Sequence, residues 1–114
     1  MYSKDEQKEI TVIKQNLFEY SKVQKNKEDI KKIFNNKYGK IELIYSNEIT
    51  SDWIRNEDIE ICFLINGEAI IQDKNNNLIN LNKGDVIYIS KDLKHKIVST
   101  SNDAIWIACH FESE

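Results

Sequence analysis

From residue 40 to residue 111, apolar and polar positions alternate in short runs separated by polar turns. A period of two marks β-strands. The runs are Lys40 to Ser46, Asp58 to Ile65, Glu68 to Asp73, Leu78 to Leu81, Val86 to Ile89, His95 to Ser99 and Ala104 to Phe111. Asn66-Gly67 sits between two apolar runs and reads as a hairpin turn. Asn75-Asn76-Asn77 and Lys83-Gly84-Asp85 supply two more turns, and Val86 to Ile89 reads as buried. Many short strands at even spacing predict an all-β sandwich or barrel. Two strands are apolar on both faces. In the run from Glu60 to Ile65, Glu60, Cys62 and Leu64 share one face, and Ile61, Phe63 and Ile65 the other. Such a strand needs cover on its outer side. The N-terminal helix or a second subunit would provide it, so a homodimer is expected.

The N-terminal third is mixed. Ile10 to Lys14 is a candidate first strand. Asn26 suits a helix N-cap, with Glu28 and Asp29 in the first turn. Ile30, Ile33, Phe34 and Lys37 follow at helical spacing, and Asn35-Asn36 with Gly39 would stop the helix. The pattern therefore predicts one short helix ahead of the strands.

Composition adds limits. The 114 residues are 40% hydrophobic and 31% charged, with a net charge of −3. This suits a single globular domain over 1–114, with an extension at 1–15 and a barrel core at 40–111. No run approaches the ~20 apolar residues of a membrane span. Met1 to Glu9 lack an apolar signal core, which predicts a cytoplasmic protein. No basic stripe with interleaved aromatics points to nucleic acid. Cys62 and Cys109 are too few and too far apart for a disulfide framework or zinc knuckle, and read as small buried hydrophobes. Arg55 is the only arginine.

The candidate chemistry lies on strands. Gly84 stands eleven residues before His95, and Glu60 seven before Gly67. Neighbouring strands in a small barrel can bring such a carboxylate and imidazole together. Glu60 and His95 would start a divalent-metal site or an acid–base pair. His110, in phase with Trp106 and Ala108, would add a second imidazole if that face points inward, and Asn56 a carbonyl oxygen. An unpaired buried carboxylate is costly, so Glu60 needs a partner, and His95 is the first choice. A metal-free Glu60–His95 hydrogen bond would serve as well as a metal.

These spacings resemble the cupins, small double-stranded β-helix or jelly-roll barrels. Their first motif ends in Glu, six residues and Gly, as from Glu60 to Gly67. Their second runs Gly, five residues, Pro-x-Gly, two residues, His, three residues, Asn. From Gly84 to His95 and Ser99 the spacing agrees, with Ser90, Asp92 and Ser99 in place of Pro, Gly and Asn. The resemblance extends to small single-domain bacterial cupins through Asn16-Leu17-Phe18, Ile41-Glu42-Leu43-Ile44, Trp53 with Glu57-Asp58, Gly67-Glu68-Ala69 and Trp106-Ile107-Ala108-Cys109-His110-Phe111. It covers residues 16 to 111 and implies a mainly β, cupin-type jelly-roll barrel with the short N-terminal helix.

Metal-binding cupins carry a His-x-His shortly before the glutamate. Here Trp53 and Arg55, or Ile54 and Asn56, stand in those places. Of the usual four ligands only Glu60 and His95 remain, and His110 would be the third donor for Mn, Fe, Ni or Zn. The resemblance thus implies a degenerate metal motif. One expectation is a module that binds a small polar or anionic molecule through Arg55, Glu60, Cys62, His95, Trp53 and Trp106. Another is an enzyme, isomerase or dioxygenase in type. It would use Glu60 and His95 with His110 as a further metal ligand, or the Glu60–His95 pair without metal. A third is a structural or regulatory role carried by the dimer surface. Against each candidate stands a plainer reading: Arg55 as a solvated charge, Trp53 and Trp106 as packing, Cys62 as a pocket wall.

Overall fold

A computed structural model describes residues 12–112, apart from 13 and 21. Nine strands follow one another among them: β1 (Lys27–Asn36), β2 (Gly39–Asn47), β3 (Ile54–Arg55), β4 (Ile59–Asn66), β5 (Ala69–Asp73), β6 (Leu78–Leu81), β7 (Val86–Ile89), β8 (Lys94–Thr100) and β9 (Ala104–Phe111). They form a five-stranded sheet in the order β1-β2-β9-β4-β7 and a four-stranded sheet in the order β3-β8-β5-β6. All the pairings are antiparallel. The chain crosses repeatedly between the sheets, as in a jelly roll.

No helix occurs among the described residues, so the helix expected after Asn26 is corrected to strand β1. Its cause is a bulge. Ile30 pairs with Ile44 and Lys32 with Glu42, but then Phe34 pairs with Ile41, leaving Ile33 as the extra residue. Inserting one residue flips the alternation, so apolar positions 30, 33 and 34 imitate helical spacing. Asn26 has a positive φ of 63° rather than an N-cap conformation. Asn36 closes the β1–β2 hairpin by accepting from the Tyr38 and Gly39 amides. The candidate strand at 10–14 falls largely outside the described residues.

Two further expectations are corrected. Asn66-Gly67 does not close a hairpin, since β4 and β5 lie in different sheets. Gly67, with φ of 87°, turns the corner between them against the Ala104 backbone. Nor is β7 buried throughout: Ile89 is, but Val86 and Tyr88 are exposed. The Asn75–Asn77 turn does join paired strands, β5 and β6. There Asp73 accepts from the Asn75 and Asn77 amides and the Asn77 side chain.

The main core fills one end of the space between the sheets. Leu64, Ala69, Leu81 and Ala104 lie there, with Cys62, Ile71, Trp106 and Ala108 in the same cluster. A second cluster lies on the outer face of the larger sheet, where Leu43, Tyr45 and Ile105 pack under Leu17, Tyr20 and Val23. Tyr20 stacks on Tyr45 with ring centroids 4.0 Å apart, and the Tyr45 hydroxyl donates to the Leu17 carbonyl. The N-terminal region therefore covers part of the doubly apolar strands without a helix. Phe63, Val86, Tyr88 and Phe111, farther along that sheet, remain exposed.

Candidate functional site

Strand parity builds a cavity at the barrel end opposite the main core. On β4, Glu60, Cys62 and Leu64 face inward, so the face that is apolar at Leu64 becomes polar at Glu60. On β9, Trp106, Ala108 and His110 face inward beside them, and Glu60 and His110 are direct cross-strand partners. On β2, Glu42 and Ile44 share that face, opposite Ala108 and Trp106. The smaller sheet contributes Ile54, Ile71, His95 and Ile97. The cavity, open to solvent on one side, has a volume of about 170 Å³, below the ~300–1,000 Å³ of drug-sized sites.

His110 is the centre of the polar wall. Its Nε2 lies 3.3 Å from Glu42 Oε1 and 3.6 Å from Glu60 Oε2, and its Nδ1 lies 3.3 Å from Asp58 Oδ1. The side chains of Glu42 and Glu60 are 13% and 12% exposed. An imidazolium donates from both nitrogens, so it can serve carboxylates on both sides of the ring. Glu60 also accepts from the Asn56 amide and the Cys62 thiol. Burial, and then the negative Glu60 beside it, push the Cys62 thiol well above the ordinary thiol range. Cys62 is thus a protonated donor in the wall, with little nucleophilic character.

His95, only 5% exposed, stands on the opposite wall. Its Nδ1 lies 3.0 Å from the Leu93 carbonyl oxygen, an atom that can only accept. Nδ1 therefore carries a proton, and in that tautomer of the imidazole Nε2 is the acceptor. The expected Glu60–His95 hydrogen bond is not formed: Glu60 is engaged by Asn56, Cys62 and His110, and His95 by Leu93. The two residues share a cavity from facing sheets.

No protein-family model matches the chain, and no curated protein matches its sequence. Solved structures do match in shape. A Ralstonia eutropha protein provisionally assigned as a mannose-6-phosphate isomerase superposes with a TM-score of 0.83 at 23% identity, covering 90% of this chain and 100% of that one. A cupin superfamily protein from Desulfitobacterium hafniense gives 0.72 at 14% identity, covering 80% and 83%. An RmlC-like cupin from Shewanella frigidimarina gives 0.68 at 11% identity, covering 78% and 79%.

The fold is that of the cupins.

Within the cupin frame, the places of the missing histidine pair are now resolved. Ile54 and Asn56 line the cavity, whereas Trp53 and Arg55 do not. Ile54 has no lone pair to offer, and Asn56 directs its amide donor at Glu60. Among the described residues, no group of three or more His, Cys, Asp or Glu side chains gathers as a metal-holding cluster. The expected ligand set Glu60, His95 and His110 is divided: His110 is enclosed by carboxylates, and His95 stands across the cavity. The residues present do not fit a cupin metal.

The other candidates separate. Cys62, Glu60, His95 and Trp106 line the cavity together. Arg55 lies outside, 60% exposed and 3.9 Å from Asp92. Trp53 is also exposed, with the Lys96 ammonium 4.9 Å from its ring centroid. Glu28, Glu42 and Asp58 were missing from the sequence-derived site. The signal at Glu42 was misleading: Ile41, Leu43 and Tyr45 form the apolar phase of β2, but that phase faces outward, under the N-terminal region.

Proposed function

We propose that this protein binds a small polar molecule in the barrel cavity and does so without a resident metal. The carrying observation is the cavity itself, apolar over Ile54, Ile71, Ile89 and Ile97 and polar at Glu42, Glu60, His95 and His110. A mostly apolar concavity with a few convergent polar groups is the usual form of a small-molecule site. The outward position of Arg55 counts against the anionic alternative. Native mass spectrometry of protein purified without chelator tests the reading. A bound small molecule, lost in His95→Ala, is expected; tight stoichiometric metal would contradict it.

A metal-free acid–base enzyme is the second reading, favoured by the His95 Nε2 held in one tautomer within the same cavity as Glu60. It requires turnover of the molecule so identified, and His95→Gln should then lower kcat more than it raises KM. The exposed strip at Phe63, Val86, Tyr88 and Phe111 supports a homodimer in addition. Light scattering after size exclusion checks this, with a clean monomer as the contrary result.

A further inference from the structure

We infer that the ligand is a small organic cation bearing N–H groups, an amine, amidine or guanidine on a short neutral body. The inference rests on the binding reading above and names its ligand class. Hydrogen-bond accounting carries it. The Asn56 amide and Cys62 thiol donate to Glu60, and the Ser46 hydroxyl donates to Glu28. His110 faces Glu42 and Asp58, and His95 Nδ1 donates to Leu93. Among the described residues, the donors around the cavity with no such assignment are the second Asn56 amide N–H and the Trp106 indole N–H. Acceptors remain in excess: carboxylate oxygens of Glu28 and Glu42 on one wall, and His95 Nε2 on the other.

The second, independent observation is His95 itself. It is 5% exposed, lines the cavity, and among the described residues its Nε2 has no partner. That nitrogen is open to the cavity, where an N–H on the ligand would pair with it. Charge points the same way. Glu28, Glu42 and Glu60 line the cavity and Asp58 stands behind His110, whereas the one arginine is turned out to Asp92. An anion would be desolvated against carboxylates; a cation would be paired by them. A bare metal ion is a poor occupant, since the acceptors do not converge on one point. An extended organic cation can reach both walls, with Trp106 offering an aromatic surface.

Three probes with one carbon skeleton test this: n-propylammonium, 1-propanol and propionate. Each is titrated into the wild-type protein while the His95 ring and Trp106 indole NMR signals are followed. Propylammonium should bind at least about tenfold more tightly than propanol, the ratio expected when a charge-assisted hydrogen bond replaces a neutral one. Propionate should leave both signals unmoved. Glu42→Gln and Glu60→Gln should each narrow the propylammonium-to-propanol ratio. Propanol or propionate binding as well as propylammonium would overturn the cation assignment and leave the binding reading intact. Silence from both signals with all three probes would overturn the two together.

Discussion

Replacing His110 with alanine withdraws the imidazole from a nearly buried carboxylate cluster. In the intact protein the ring lies 3.3 Å from Glu42, 3.3 Å from Asp58 and 3.6 Å from Glu60. Removing a hydrogen-bonding partner of a nearly buried charged group costs about 1.5–3 kcal/mol. Glu60 keeps Asn56 and Cys62 as donors, and Glu42 keeps Lys40 at 3.7 Å. Asp58, at 36% exposure, is solvated enough to contribute little. The cost should therefore be ~2 kcal/mol, or roughly 8 °C in Tm for a domain of this size. Urea unfolding at neutral pH, followed by tryptophan fluorescence, measures it. Adding Glu60→Gln to His110→Ala should return about 1–2 kcal/mol, since the stranded charge is gone while the amide still accepts from Asn56. A loss below about 1 kcal/mol for His110→Ala, or no recovery in the double variant, would refute the reasoning.

Two glycines with positive φ should differ in their response to alanine. At Gly67 a Cβ would lie 2.8 Å from Ala104 Cα and 2.5 Å from Ser101 Oγ, so Gly67→Ala should cost upwards of ~3 kcal/mol in urea unfolding. At Gly84 a Cβ meets nothing within 4 Å, so Gly84→Ala should cost only the ~1–2 kcal/mol of left-handed backbone strain. The raised thiol of Cys62 predicts alkaline destabilisation. Above the ordinary thiol value of 9.0 the unfolded chain loses a proton that the folded chain retains, so stability present below that pH declines as pH rises past it. The slope should approach ~1.4 kcal/mol per pH unit and flatten in Cys62→Ala, measured by unfolding at successive pH values. For the same reason, iodoacetamide at mildly alkaline pH should label Cys62 far more slowly in folded than in urea-unfolded protein, as peptide mass spectrometry would show.

Much of the architecture is legible in the sequence. Seven of the nine strands follow from period-two alternation and polar turns, because a half-buried strand must place apolar side chains on one face. The Glu60–Gly67 and Gly84–His95 spacings were sufficient to suggest the barrel. Strand β1 was misread because its bulge at Ile33 shifts the alternation, and nothing local reveals which residue the partner strand will skip. Asn66-Gly67 was misread because the turn residues define a sharp reversal, not the sheet that the returning strand joins.

The residue types of the site were also visible in one dimension: an acidic residue in an apolar strand, two histidines, and no His-x-His before Glu60. Tertiary structure alone decided their partners. His110 faces inward because β9 lies between β2 and β4, and that placement gives it to Glu42 and Glu60. Parity at β3 puts Ile54 and Asn56 in the cavity and Arg55 outside, removing the anion hook that sequence position had suggested. Alternation along a strand specifies which side chains share a face. Which face becomes the interior depends on the sheet packed against it, and that is a property of the whole chain.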